Sequence, residues 1–298
     1  MLGLFKRGVA VASRLDIVPP NASAGRSGVA VATVVRDEVA TIADWIKFHR
    51  LAGVQRFFIY DNGSTDGTAD AALAAGLGVV TVIPWRLPVT LVRPPATLHQ
   101  QELAYAHAIC TFGGEVRWMA LIDVDEYLFP ATTSTLDEAL KPLEAFANIS
   151  IPWSMFGVRS SQTEAVSAPW SFTRRARKPH GVLLNFKCIV DPCDVTRVSV
   201  HKFWTRSMGA ESVNAVGLQA RYKRRGTPEF LASTAIRLHH YCAVDDRDID
   251  ALLARGAVSG MSKSKRSALL HGRAAAILAD EIEDRSAINF LQRSGGLP

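Results

Sequence analysis

The chain lacks the features that define several large classes of protein. Its 298 residues include only four cysteines, too few for a disulfide framework in a chain of this length. Cys188 and Cys193 are separated by four residues, so they do not form the tight pair typical of a structural zinc site. No apolar run reaches the roughly 18 to 20 residues that a membrane-spanning helix needs. We therefore expect reduced thiols and no transmembrane segment.

The sequence contains no recognised nucleic-acid-binding motif, and we expect no targeting segment at its N-terminus. Lys6 and Arg7 interrupt the short apolar stretch at the N-terminus, which is untypical of a signal peptide. The formal net charge is +6, and basic residues gather at 174–178, 221–225 and 263–266. Such runs are usually solvated faces, or attract phosphate-bearing ligands or an anionic membrane surface. We expect a cytoplasmic protein that binds no nucleic acid and could contact a membrane peripherally.

The first half of the sequence alternates between buried strands and helices. Continuous apolar runs rich in β-branched residues predict strands at 29–35, 56–60, 78–83 and 118–124. Segments with helical spacing at 38–53, up to about residue 75, and at 98–110 separate them. This order predicts an α/β fold with a mostly parallel, Rossmann-like sheet flanked by helices.

The second half is less regular. A helix is predicted at 135–146, short strands at 149–157, 182–190 and 235–242, and helices from about 246 to the end. We predict an N-terminal extension (1–28), one main domain (29–245) with a mixed second half, and a helical C-terminal tail (246–298).

Polar side chains follow three of the predicted parallel strands. Arg36–Glu38 follow the first strand, Asp61 and Asn62 the second, and Asp123–Glu126 the fourth. Ligands of open parallel sheets bind beyond the carboxyl ends of the strands. The three segments therefore predict one crevice lined by carboxylates.

The Asp123–Val124–Asp125 segment is the candidate metal site. The chain has three Asp-x-Asp pairs, but the two within 246–250 lack a preceding strand and are typical of a helix N-terminus. Alternate residues of an extended backbone face the same side, so Asp123 and Asp125 are expected to face one point. Two carboxylates with open positions suit Mg²⁺ or Mn²⁺ beside a diphosphate, whose developing charge the ion would stabilise. The alternative is a solvated cluster that merely ends the strand.

The order of these segments resembles the bacterial family two glycosyltransferases that are related to family 92. The resemblance covers most of residues 29 to 291 and implies a GT-A fold, with a nucleotide-sugar half at 29–130 and an acceptor half at 131–245. The segments that carry it are RDEVATIADWIKFHRLAGVQRFFIYDNGSTDGT (36–68), RWMALIDVDEYLFP (117–130), Trp153–Gly157, His201–Lys202 and Leu238–Tyr241.

The resemblance implies roles for the residues at the strand ends. Arg36 and Glu38 would line the nucleotide pocket, and Asp61 would accept a hydrogen bond from a uracil base. Alternatives remain for two of them: Asp61 could only shape an Asx turn, and Glu38 could only complement the dipole of the next helix.

The resemblance also implies roles around the metal. Asp123 would contact the ribose and assist the metal, Asp125 would bind it directly, and His240 could return to the metal or the diphosphate. His239 and His240 are adjacent on a predicted strand, so they face opposite sides. A lone helical histidine such as His49 is expected to be structural.

The predicted function is therefore a metal-dependent glycosyltransferase of glycan or polysaccharide synthesis. It would move a sugar from a nucleotide-diphosphate sugar, with UDP favoured, to a hydroxyl acceptor, and the resemblance implies inversion. The general base is left open among Glu164, Asp191 and Asp194. The alternatives are a nucleotidyltransferase, whose glycine-rich phosphate loop is absent after the first strand, and a non-catalytic nucleotide- or carbohydrate-binding protein.

Overall fold

The computed structural model describes residues 10–12, 14–87, 90–91, 96–159, 167–242, 253 and 262–296. The strands are β1 Ala10–Ala12, β2 Leu15–Asp16, β3 Val29–Val35, β4 Val54–Asp61, β5 Val80–Pro84, β6 Thr90–Leu91, β7 Ala96–Leu98, β8 Trp118–Leu121, β9 Glu126–Pro130, β10 Asn148–Arg159, β11 Phe172–Ala176, β12 Phe186–Val190, β13 Val195–Val198, β14 Trp204–Thr205, β15 Glu211–Val213, β16 Gln219–Arg221, β17 Ile236–Tyr241 and β18 Glu281–Glu283. The helices are α1 Ile42–Leu51, α2 Thr68–Gly76, α3 Gln100–Phe112, α4 Leu136–Leu140, α5 Ala168–Ser171, α6 Pro228–Leu231, α7 Lys263–Ala279 and α8 Ser286–Arg293. Short 3-10 turns lie at Gly113–Glu115, Lys141–Leu143, Gly181–Leu183 and Tyr222–Arg224.

The centre of the molecule is one large mixed sheet. Its main path runs β16-β15-β10-β12-β8-β3-β4-β5, and the four strands β8, β3, β4 and β5 are parallel. The register places Val35 opposite Asp61 and Ala32 opposite Leu121, so β3, β4 and β8 end at the same edge. The predicted α/β fold with a largely parallel first half is confirmed.

Strand β3 is covered on both faces, which explains its continuous apolar sequence. Val29, Val31 and Val35 pack in the core that contains α1 and α2, whereas Ala30 and Ala32 pack in the core that contains α3. Because side chains alternate along a strand, one run of small and β-branched residues serves both layers.

Helix α1 covers one face of this sheet because its apolar residues recur at helical spacing. Ile42, Trp45, Ile46 and His49 form its buried side. The helix stops before Gly53, whose φ of 91° is favourable for glycine, and an added Cβ there would lie 2.8 Å from Cβ of Thr135. The predicted C-terminal stop at this glycine is confirmed.

Strand β10 organises the second half of the chain. Its first part pairs antiparallel with β12, and its later part pairs in parallel with β17 and antiparallel with β11. Strand β17 in turn pairs with β9, which places His240 opposite Glu126. The strands predicted at 149–157, 182–190 and 235–242 are confirmed as β10, β12 and β17, although their bounds differ. Strands β13 to β16 were not predicted, because their sequences show no clear alternation of apolar and polar residues.

The C-terminal segment contains the predicted helices but also a strand. Helices α7 and α8 follow the expectation, and β18 between them pairs with β11. The basic run at 174–178 was expected to be a solvated face, or to attract phosphate-bearing ligands or a membrane surface. Arg174 and Arg177 are about half exposed, and three arginines of the run form ion pairs with acidic residues of this segment. These pairs are Arg174–Glu281, Arg175–Asp284 and Arg177–Asp280. Of the helix predicted near 251–256 only residue 253 is described, and the Asp-x-Asp pairs at 246–250 lie outside the described residues.

Two expectations from composition can be compared with the described part of the chain. All four cysteines are free thiols. Within the described residues, no helix combines the length and apolar character that crossing a membrane requires.

Candidate active site

The loops that follow β3 and β4 are joined by hydrogen bonds. The Asp37 backbone N–H donates to Oγ of Ser64 at 3.0 Å, and the Glu38 N–H donates to Oγ1 of Thr68 at 2.8 Å. Asp37 has a φ of 52°, a strained conformation for a residue other than glycine, and its Oδ1 accepts from the Thr65 N–H at 2.8 Å. The first two predicted strand-end segments are therefore joined to each other beside the edge of the sheet where the crevice is predicted.

The three predicted nucleotide-binding residues of this wall have different environments. The Arg36 side chain is 49% exposed and lies 3.7 Å from Asp37 Oδ2. The Glu38 carboxylate accepts from Thr41 Oγ1 at 3.0 Å, and its carbonyl accepts the first helical N–H of α1, from Ile42. Glu38 thus lies at the start of α1, which is the alternative role considered for it, beside the sheet edge where β3 and β4 end.

Asp61 is the last residue of β4 and is partly buried. Its Oδ1 accepts from the Ser64 N–H at 2.9 Å, which is the Asx turn considered as the alternative to base binding. The turn uses one carboxylate oxygen, and contact with a nucleotide base stays a prediction.

The acidic segment after β8 is a turn and not an extended strand. Strand β8 ends at Leu121, earlier than the predicted residue 124, and the Glu126 N–H donates to the Asp123 carbonyl at 3.1 Å. Asp123 and Asp125 were predicted to face one point because the segment was taken to be extended. That prediction was wrong, since the segment is a turn. The two carboxylates contact different partners.

Asp123 is held by a buried cation and by helix α3. Its Oδ2 lies 2.9 Å from Nζ of Lys187, and its Oδ1 accepts from Gln101 Nε2 and, at 3.5 Å, from the hydroxyl of Tyr105. Burial opposes ionisation of Asp123, but the attraction of Lys187 outweighs it and holds the pKa below its usual range. Asp123 is therefore an ionised carboxylate whose two oxygens are both engaged.

Glu126 is the fully buried centre of the turn. Its Oε1 accepts from the indole N–H of Trp153 at 2.6 Å, and its Oε2 accepts from the Asp123 N–H at 2.7 Å. Lys187 lies 3.6 Å from Oε2. Burial raises the pKa of Glu126 well above its usual value, although Lys187 acts in the opposite direction.

Asp125 faces His240 across the β9–β17 pair. Its Oδ2 lies 3.1 Å from Nε2 of His240, and its carbonyl accepts from the Tyr241 N–H. The Asp125 side chain is 48% exposed, whereas that of His240 is 6% exposed and packs 4.5 Å from the Trp153 ring. Among the described residues, Nδ1 of His240 has no hydrogen-bond partner.

His239 faces the other side of β17, as its position next to His240 predicts. Its Nδ1 lies 3.2 Å from the Tyr241 hydroxyl, and its Nε2 lies 3.2 Å from Oγ of Ser286. It is fully buried, so it has a packing role away from the crevice.

The Asp125–His240 pair has the chemistry of half of a divalent cation site. Two ligands at right angles around an ion with bonds of about 2.1 Å are separated by about 3 Å, close to the 3.1 Å observed here. Within the described ranges, no group of three or more His, Cys, Asp or Glu side chains is placed to hold a metal alone. Asp125 and His240 can therefore supply two ligands of a divalent cation, and its remaining ligands would have to come from water or from a bound molecule.

Helix α1 fixes the position of the acidic turn. The indole N–H of Trp45 donates to the Glu126 carbonyl at 2.8 Å. His49 Nε2 accepts from the Leu128 N–H at 3.0 Å, and its Nδ1 lies 2.8 Å from the Trp45 carbonyl. The structural role expected for His49 is confirmed.

Comparison with known sequences identifies the family. The sequence profile of glycosyltransferase family 92 matches residues 26–231. This range includes the hydrogen-bonded loops after β3 and β4, the acidic turn and Lys187. The chain belongs to glycosyltransferase family 92. The family 92 part of the sequence resemblance is therefore confirmed; the profile that matches is not that of family two.

Plant members of family 92 are among the similar sequences. A family 92 protein of rice (Oryza sativa subsp. japonica) is 32% identical over 111 residues, which is 37% of this chain and 18% of the rice protein. A family 92 protein of Arabidopsis thaliana is 28% identical over 132 residues, 43% of this chain and 21% of that protein. The matches thus span about a fifth of these longer relatives.

Solved structures give partial matches of low score. Glucosyl-3-phosphoglycerate synthase from Mycobacterium tuberculosis, in complex with Mn²⁺, UDP and phosphoglyceric acid, is 22% identical and covers 44% of each chain, with a TM-score of 0.29. A second mycobacterial protein is 16% identical and covers 85% of this chain and 76% of its own, with a TM-score of 0.34.

Sequence reasoning missed several residues of the site in this family 92 chain. Lys187 is the most important, and its signal is a single lysine within the otherwise apolar β12 sequence FKCIV. Trp153 is only 4% exposed, and its indole N–H donates to Glu126. Gln101 on α3 gave no signal in the sequence.

Two of the candidate general bases lie elsewhere. Strand β12 runs antiparallel to β8 with Val190 opposite Met119, so Asp191 and Asp194 lie at the opposite edge of the sheet. Asp191 pairs with Arg26 and Arg117, and Asp194 accepts from Ser207. Neither can act at the crevice, and Glu164 lies outside the described residues.

We expect the buried histidines to make the folded state less stable in acid. Burial lowers the pKa from 6.5 to about 4 for His49 and to about 3 for His201 and His239. Below pH 6.5 the unfolded state binds more protons, so each histidine removes up to about 1.4 kcal/mol of stability per pH unit. We expect the urea midpoint to fall steadily between pH 6.5 and about 4. The carboxyl of Asp284, whose pKa is lowered, loses its contribution only below 3.8, so a midpoint that is constant until that pH would contradict this prediction.

Proposed function

We propose that this family 92 chain transfers a sugar from a nucleotide-diphosphate sugar to a hydroxyl group of a glycan or polysaccharide acceptor. A UDP-sugar is the proposed donor, the reaction inverts the anomeric carbon, and Asp125 and His240 bind a divalent cation. The observation that carries the proposal is the 3.1 Å Asp125–His240 pair, in which the Asp125 side chain is half exposed, close to the edge where β3, β4 and β8 end. That edge is where parallel sheets bind nucleotides.

The residues around the Asp125–His240 pair are proposed to contact different parts of the donor. A cation held by Asp125 and His240 would supply positive charge to the departing diphosphate. Asp123, held by Lys187, would accept hydrogen bonds from a ribose, and the hydrogen-bonded loops after β3 and β4, with Arg36 and Asp61, would line the rest of the donor site. Trp45 and His49 keep the turn in position from α1.

A release assay tests the catalytic proposal. Purified protein is incubated with UDP- and GDP-sugars, with Mn²⁺ or with a chelator, and the freed nucleotide diphosphate is measured with and without simple glycan acceptors. We expect Mn²⁺-dependent release of UDP from one class of UDP-sugar. Binding of donors without release under any condition would instead favour the non-catalytic binding protein.

A further inference from the structure

The Lys187 side chain carries a buried positive charge beside the proposed donor site. It lies within β12, its side chain is 1% exposed, and its neighbours along the strand are apolar. An ammonium ion in such a place is costly unless it is paired with carboxylates. The partners are Asp123 Oδ2 at 2.9 Å and Glu126 Oε2 at 3.6 Å.

Lys187 stands where a bound cation would otherwise neutralise these two carboxylates. Both oxygens of Asp123 are engaged, one by Lys187 and the other by Gln101 and Tyr105. Asp125, two residues along the same turn, contacts His240 and is half exposed. One turn thus carries a carboxylate with a protein cation and a second carboxylate that is open to an external ion.

We propose that Lys187 is the fixed counter-cation of the donor site. It is a positioning residue that holds Asp123 and keeps a divalent cation away from Asp123 and Glu126, so the ion binds at Asp125 and His240. This inference rests on the proposed function for the existence of the metal site. It assigns to Lys187 the reason why Asp123 and Asp125 differ as metal ligands.

The test is a Mn²⁺ titration followed by electron paramagnetic resonance, in the presence of UDP and at mildly alkaline pH. The variants are Lys187→Met, which has a similar stem without the ammonium, and Lys187→Arg, which keeps the positive charge. In Lys187→Met, we expect a second Mn²⁺ equivalent or about tenfold tighter binding, because two carboxylates lose their cation. In Lys187→Arg, we expect neither change.

Two aspartate variants decide the proposal independently, and they are needed if Lys187→Met fails to fold. Asp125→Asn is expected to weaken Mn²⁺ binding at least about tenfold more than Asp123→Asn does, because only Asp125 is a direct ligand. The proposal is overturned if Lys187→Met folds and gains no Mn²⁺ binding, or if both aspartate variants weaken it equally. Absence of Mn²⁺ binding by the wild-type protein would contradict the proposed function instead, while a Mn²⁺ site gained in Lys187→Met would still support the role of Lys187.

Discussion

Replacing Asp125 with asparagine is expected to lower sugar transfer by about 10² to 10³-fold, the range found when charge stabilisation of a transition state is removed. The substitution retains the shape of the side chain but removes the charge that, with His240, would hold the cation. The Asp125 side chain is 48% exposed, and within the described part of the chain its carboxylate pairs only with His240. Stability should therefore change by no more than about 0.5 kcal/mol.

The matched control for this variant is Asp280→Asn. Asp280 is also a half-exposed aspartate with a cationic partner, Arg177 at 2.8 Å, but it lies in the C-terminal segment away from the crevice. Wild-type activity is expected for this control, because an exposed ion pair contributes little. Nucleotide release by Asp125→Asn at the wild-type rate would remove Asp125 from the mechanism.

Replacing Glu126 with alanine is expected to destabilise the fold by about 3 to 5 kcal/mol, the cost of removing one partner from a buried charged network. The change would leave the Trp153 indole N–H and the Asp123 N–H without their acceptor, and Lys187 with a single carboxylate. The free energy of unfolding can be obtained from urea denaturation followed by tryptophan fluorescence.

Glu126→Gln is the control that separates shape from chemistry. Glutamine fills the same volume and its carbonyl oxygen can still accept from Trp153, so we expect it to lose less than half as much stability as alanine does. If the Glu126→Ala variant and the wild-type protein unfold at the same urea concentration, the contacts of Glu126 do not stabilise the fold and the prediction is wrong.

Much of the first half of the fold could be predicted because its signals are local. The bounds of β3 match the apolar run at 29–35, and α1 and its stop at Gly53 follow from spacing and from one glycine. The crevice was predicted because parallel strands end at one edge, and Arg36, Asp61 and Asp123 do lie at strand ends there. These inferences need only the period of the pattern and the order of the elements.

The internal geometry of the site depends on strand pairing that no local pattern reveals. Lys187 reaches Asp123 because β12 pairs antiparallel with β8, with Cys188 opposite Leu121, although the two strands are far apart in sequence. His240 reaches Asp125 because β17 pairs with β9. Asp125 and, by resemblance, His240 could be selected in advance, but Lys187 could not, and neither could the distances between these side chains.

The basic run at 174–178 shows the same limit for predictions from charge. From the sequence alone, clustered arginines indicated a solvated face or an anionic partner. Their counter-ions lie more than 100 residues later, at Asp280, Glu281 and Asp284, and approach because β18 pairs with β11. Charge density along a sequence is thus a poor guide to surface potential when the fold brings opposite charges together.

The most direct test of the central claim is calorimetric titration of UDP into the wild-type protein and into Asp125→Asn, each with Mn²⁺ and with a chelator. The claim is that nucleotide diphosphate and cation bind together at Asp125 and His240. We expect UDP to bind the wild-type protein tightly only with Mn²⁺, and the Mn²⁺-dependent gain to disappear in Asp125→Asn. UDP binding of equal strength in all four titrations would contradict the account.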